Sequence, residues 1–89
     1  MGDKALKDKN IFITGSTRGI GKAIARGMIA EGGNVWIHGR NEQKCRIVAK
    51  ELGANYIAAD LKNGDEVSAL IASLNQLPKL DVLVNNAGF

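Results

Sequence analysis

The chain has one cysteine, one proline, one histidine and few aromatic residues among its 89 positions, and each shortage removes a class of protein. A lone Cys45 cannot close an internal disulfide, so a small crosslinked secreted scaffold is excluded. The charged start Met1-Gly2-Asp3-Lys4 lacks the apolar centre of a secretory leader, which makes the cytoplasm the expected compartment. No apolar run nears the roughly twenty residues that a bilayer-crossing helix needs, so no membrane partner is expected. His38 stands apart from any cysteine or carboxylate cluster at metal-ligand spacing, and no metal site is expected. Charge of one sign is also scarce. Twelve Lys and Arg against nine Asp and Glu leave +3, too small and dispersed an excess for the footprint of a nucleic-acid binder, though compatible with a small anionic ligand.

What is present suits a folded chain. Apolar residues at 45% and charged residues at 24% lie near the globular average, and the length allows one domain at most. A chain this short buries only a little more than ~60% of its unfolded surface, which leaves little stability margin. Asn10-Ile11-Phe12-Ile13-Thr14 is an apolar run that stops at Gly15 and suits a strand buried on both faces. After a glycine-rich turn the spacing becomes helical, with Ile20, Ile24 and Met28 as a stripe, small Ala23 and Gly27 beside it, and Gly32-Gly33 as the stop. Asn34-Val35-Trp36-Ile37-His38 reads as a second strand, and Asn41 is placed to cap a helix that buries Cys45, Val48, Ala49 and Leu52 before Gly53. Lys44, Arg46, Lys50 and Glu51 read as its solvated face. Asn55-Tyr56-Ile57-Ala58-Ala59 gives a third strand. Asn63 with Glu66 has the capping-box pattern, and Val67, Leu70, Ile71 and Leu74 trace a stripe that Pro78 closes. Val82-Leu83-Val84 is the last strand. The alternation predicts an α/β fold, a parallel sheet with helices on its faces and right-handed crossovers.

The most informative stretch is Thr14-Gly15-Ser16-Thr17-Arg18-Gly19-Ile20-Gly21, between a strand and a helix. Gly15, Gly19 and Gly21 let the backbone turn sharply and approach a ligand, and the positive end of the helix suits a pyrophosphate. The GxxxxGK[ST] loop of nucleotide triphosphatases fails, since Gly15 and Gly21 are six apart and Ala23 follows Lys22. The GxGxxG fingerprint fails because the second glycine falls at 19.

The TGxxxGxG pattern that does match, with Asp60 after the third strand and Asn85-Asn86-Ala87-Gly88 after the fourth, resembles the short-chain dehydrogenase/reductase family from about Lys7 to the last residue. The resemblance implies a Rossmann-type, three-layer α/β/α fold with strand order 3-2-1-4 and a nicotinamide cofactor across the strand ends. It also implies cofactor contacts from Ser16, Arg18, Gly19 and Ile20 to the phosphates, Asp60 and Leu61 to the adenine edge, and Asn86, Ala87 and Gly88 to the ribose, and a homo-oligomer. For the choice of cofactor, NAD enzymes usually end the second strand with an acidic residue; here Gly39-Arg40 stands there, with Arg18 in the loop, which points to NADP. Structural alternatives stand beside these roles: turn and packing for the glycines, solvated charge for the arginines, a turn former in Asp60. Cys45 reads as a small hydrophobe, and Trp36 and Tyr56 as core or sheet-face aromatics.

In that family a tyrosine with a lysine four residues later moves the proton, assisted by a serine and a further asparagine. The only tyrosine is Tyr56, followed at that spacing by Asp60, so no catalytic residue is assigned. The chain is expected to be residues 1–89 of one NADP-binding domain, the amino-terminal portion of a longer reductase resembling the 3-oxoacyl-carrier-protein reductases, which would act on a small carbonyl or alcohol substrate. The alternative is a non-catalytic nucleotide-binding or assembly module.

Overall fold

A computed structural model describes residues 4–86. Four strands and three helices alternate: β1 (Asn10–Ile13), α1 (Gly19–Ala30), β2 (Asn34–Gly39), α2 (Glu42–Leu52), β3 (Asn55–Ala58), α3 (Gly64–Asn75) and β4 (Val82–Val84). The sheet is parallel in the order β3-β2-β1-β4, the order that the resemblance implies. Successive strand residues point to opposite faces, and this divides the core in two. Ile11, Ile13, Val35 and Ile37 face one way and pack with Ala25 of α1 and Val48 and Ala49 of α2. Phe12 faces the other way, joining Leu70 of α3 and Ala59, with Trp36 and Ile57 packed beside them. The result is three layers, with α1 and α2 on one face and α3 on the other. No described helix is long and apolar enough to cross a membrane.

The helix ends follow local chemistry. Asn41 caps α2, its side chain accepting from the Lys44 N–H at 2.9 Å, and Gly53 ends it in the left-handed conformation at φ 72°. Asn63 caps α3 by accepting from the Glu66 N–H at 3.1 Å. The return half of the expected capping box is redirected. The Asn63 N–H already donates to the Asp60 carbonyl, so the Glu66 carboxylate accepts from the Asp60 N–H instead, at 3.1 Å.

The expected stripe of α1 is corrected. Ile20 is 74% exposed, and Ala23 and Gly27 are exposed as well. The buried positions are Gly21 and Ala25, with Ile24, Met28 and Ile29 packed partly buried beside them. The helix lies so close to the loop after β1 that only residues with little or no side chain fit at the contact. A Cβ on Gly21 would collide with the Gly15 carbonyl, and would lie 2.5 Å from Asn86 Nδ2 and 3.0 Å from Ser16 Cα.

The amino ends of β1 and β4 are joined by Asp81. Its carboxylate accepts from the Asn10 N–H at 2.8 Å and lies 3.4 Å from Lys79 Nζ, while its own N–H donates to the Asn10 carbonyl. The Asn10 N–H, aided by the Lys79 charge, holds the Asp81 carboxyl below the usual carboxylate range. A carboxylate with a lowered folded pKa stabilises the fold fully above its unfolded value, about pH 4, and loses that contribution as pH falls through the folded value. Asp81→Asn is therefore expected to lower the urea midpoint at pH 7 and to reduce the loss of stability below about pH 4. Urea titrations of both proteins across that range measure the difference.

Candidate functional site

Because all four strands run the same way, their carboxyl ends gather the segments that follow them along one edge. There an open cavity of about 520 Å³ is lined by Gly15, Thr17, Arg18 and Gly19 after β1, His38, Gly39 and Arg40 at the end of β2, Asp60, Leu61 and Lys62 after β3, and Asn86 after β4. A second depression of about 360 Å³ shares Thr17, Arg18 and Arg40 and adds Asn41, Lys44, Ile47 and Val48. Its cations have no acidic neighbour in the lining.

The loop between β1 and α1 is shaped by backbone geometry and held from three sides. Gly15 and Gly19 take φ of 58° and 61°, the left-handed region that glycine enters without strain. The Ser16 hydroxyl donates to the Ile13 carbonyl at 2.7 Å and accepts from the His38 N–H at 2.8 Å. From the segment after β4, the Asn86 side-chain amide donates to the Gly15 carbonyl at 3.0 Å, and the Asn86 N–H donates to Thr14 Oγ1 at 2.9 Å. The Thr14 hydroxyl also lies 3.3 Å from Asn85 Oδ1, so Asn85 ties β4 to β1.

Of the residues expected at a cofactor, the fold brings Gly15, Arg18, Gly19, Arg40, Asp60, Leu61 and Asn86 together around the larger cavity. Ser16 is wholly buried, with its hydroxyl engaged by β1 and β2. Gly21 is a contact between α1 and the loop, and Ile20 is exposed outside the cavity lining. Ala87 and Gly88 lie outside the described residues. Asp60 both lines the cavity and forms a turn, its carboxylate accepting from the Lys62 N–H at 3.0 Å.

Sequence reasoning missed Thr17, His38, Lys62 and Lys44. Lys44 had been placed on the solvated face of α2, yet it stands in the same depression as Arg40; the signal was its position one turn beyond Arg40, in the first turn of the helix that begins there. Glu51 on that face holds α1, with Lys22 Nζ at 2.9 Å and Arg26 at 3.4 Å. The Lys22 hydrogen bond holds the Glu51 carboxyl below its ordinary range. Cys45 is fully buried and burial pushes its thiol up, the setting of an inert packing residue. Tyr56 sits on β3, its hydroxyl donating to the Glu42 carboxylate at 2.9 Å, and that bond holds the phenol above its ordinary range.

A dinucleotide can be tested against these residues. The first N–H groups of an α-helix have no acceptor inside it, and α1 opens with no side-chain cap and no acidic residue in its first turn. That end suits a pyrophosphate. Among the described residues Arg18, Arg40 and Lys44 form no ion pair with a carboxylate, so their charge is available to an anion. The donor set fits. No group of three described His, Cys, Asp or Glu side chains is arranged to hold a metal ion.

Comparison with known proteins places this architecture. An oxidoreductase of Bacillus subtilis, YvrD, is 42% identical over 91 residues, covering 98% of this chain and 35% of its own length. The 3-oxoacyl-[acyl-carrier-protein] reductase FabG of Rickettsia bellii is 42% identical, covering 93% of this chain and 34% of the enzyme. The chain thus spans about a third of the length of these relatives. Among solved structures, the Pseudomonas aeruginosa RhlG/NADP active-site complex superposes with a TM-score of 0.89 at 34% identity, covering 97% of this chain and 37% of that one. A metagenomic short-chain oxidoreductase in complex with NADP gives 0.83 at 37% identity, covering 94% and 41%. The family model for short chain dehydrogenases matches residues 9–89, and with the parallel sheet, the glycine loop and the gathered strand ends it shows that the chain belongs to the short-chain dehydrogenase/reductase family of oxidoreductases.

Proposed function

We propose that this chain binds NADP(H) as the cofactor-holding part of an oxidoreductase that moves hydride between a nicotinamide and a small carbonyl or alcohol substrate, in analogy with the 3-oxoacyl-carrier-protein reductases among its relatives. When bound, the nicotinamide donates or accepts the hydride. The protein's part is to bind and orient. The amides opening α1 take the pyrophosphate, with Gly15 and Gly19 letting the backbone come close. Asp60 and Leu61 bound the adenine edge, and Asn86 meets the adjoining ribose while its amide steadies the loop at Gly15.

The observation that carries the NADP reading is the end of β2. Position 39 has no side chain to repel a 2′-phosphate, and Arg18, Arg40 and Lys44 surround the adjoining depression. A guanidinium can hold a phosphate with two charge-assisted hydrogen bonds. No catalytic role is proposed for Tyr56. A phenol held by Glu42 above its ordinary range is a poorer proton donor, whereas the family's tyrosine is made more acidic by a lysine.

Titration with NADPH and NADH, followed by calorimetry, tests the proposal. NADPH should bind more tightly by about tenfold or more, roughly one charged contact's worth, and its affinity should fall more steeply with added salt than that of NADH. Equal affinities, or NADH the tighter, would refute the NADP reading.

A further inference from the structure

One buried titratable group has no part in the cofactor contacts above. His38 is 2% exposed at the end of β2 and sets its ring edge against Phe12, with centroids 5.9 Å apart at 62°. Its Nδ1 lies 3.0 Å from the Gly15 nitrogen, and its Nε2 lies 2.8 Å from the Ala59 carbonyl oxygen. A backbone N–H can only donate and a carbonyl can only accept, so the ring must accept at Nδ1 and donate at Nε2. That is the neutral imidazole with its hydrogen on Nε2. An imidazolium would turn a second N–H against the Gly15 amide, two donors facing each other.

The backbone around the ring is knitted to the same loop. The Ser16 N–H donates to the His38 carbonyl at 2.8 Å, and the His38 N–H donates to Ser16 Oγ at 2.8 Å. Gly15 is the residue whose left-handed φ starts the turn, and the imidazole takes its amide. One ring therefore joins the start of the phosphate loop to the end of β3.

We propose that His38 is a positioning residue for the phosphate loop: its neutral ring holds the Gly15 amide in the left-handed turn and anchors it to the Ala59 carbonyl, so that the loop is set before the dinucleotide binds. The role rests on the dinucleotide reading above. The charged groups around the shared cavity are Arg18 from the loop, Arg40 from the end of β2, and Asp60 and Lys62 from the segment after β3. β1 offers Phe12, the segment after β4 offers Asn86, and α2 places the buried Cys45 behind Gly39.

The test uses the protein at its full encoded length, with NADPH as the probe. A long-range ¹H–¹⁵N spectrum should show His38 protonated at Nε2 alone near neutral pH; a proton on Nδ1 would overturn the proposal. His38→Asn puts an amide oxygen near the place of Nδ1 and keeps an acceptor for Gly15, whereas His38→Leu fills the space and accepts nothing. The leucine variant should bind NADPH on the order of tenfold to a hundredfold more weakly, and the asparagine variant within about threefold of the parent. A leucine variant that binds like the parent, or an asparagine variant that binds as weakly as the leucine one, would remove the role from His38 while leaving the cofactor reading intact. A parent that binds no dinucleotide would bring down both. Should the leucine variant fail to fold, the spectrum and the NADPH affinity of the asparagine variant decide.

Discussion

Gly21→Val is expected to abolish dinucleotide binding and to take most of the fold's stability with it. The position faces the Gly15 carbonyl, Asn86 Nδ2 and Ser16 Cα. Two of the three are backbone atoms of a loop held by hydrogen bonds from β2 and β4, so they cannot move aside cheaply. Overpacking by even one carbon costs about 1–3 kcal/mol and sometimes more. A branched side chain here must push α1 off the loop or break the Asn86 bond to Gly15. Folded domains have about 5–15 kcal/mol in total, and a chain of this length sits toward the low end. Gly27→Ala supplies the contrast. A Cβ at 27 meets nothing within 4 Å inside the same helix, so alanine should raise stability by about 0.5–1 kcal/mol. Urea midpoints of the two variants, with NADPH titrations, measure the difference; a Gly21→Val protein as stable as Gly27→Ala would refute the close approach of α1 to the loop.

Arg40→Asp is expected to invert the cofactor preference. Each charge-assisted bond to a 2′-phosphate is worth about 1.5–3 kcal/mol before screening. Arg40 is exposed, so the lower end applies. Loss of two such bonds, with a carboxylate set against the phosphate, should swing the NADPH-to-NADH affinity ratio by on the order of a hundredfold or more. Lys44→Ala, removing the outer cation of the same depression, should change NADPH affinity severalfold and leave NADH affinity unaltered. Position 39 is the poorer place to install an acid. A Cβ on Gly39 would lie 2.7 Å from Thr17 Cγ2 and 3.2 Å from Cys45 Sγ, so a new side chain there must first displace Thr17. An Arg40→Asp protein that still prefers NADPH would take the 2′-phosphate contact away from Arg40.

The order of elements was legible along the chain because each change of period, from the run Ile11-Phe12-Ile13 to the helical spacing after Gly19, is a local property that burial on one or two faces imposes. The caps at Asn41 and Gly53 were legible for the same reason: each acts on backbone groups within a few residues of itself. The face that α1 presents was not. Ile20, Ile24 and Met28 make the better apolar stripe on paper, but α1 sets Gly21 against the loop after β1 and buries Ala25 against the strands instead.

By itself the sequence determined the alternation of strand and helix, the glycine loop between β1 and α1, and the absence of an acid at the end of β2, since these depend on residue type and near-neighbour spacing. Arg40, Asp60, Leu61 and Asn86 were also expected at the cofactor, and only the tertiary structure added His38, Lys62 and Lys44 to them. Parallel pairing brings His38 at the end of β2, Lys62 after β3 and Asn86 after β4 to one edge, and places Lys44 beside Arg40. It also assigned the His38 hydrogen to Nε2, because a ring nitrogen's role is set by partners 23 and 21 residues away, and no local pattern carries that information.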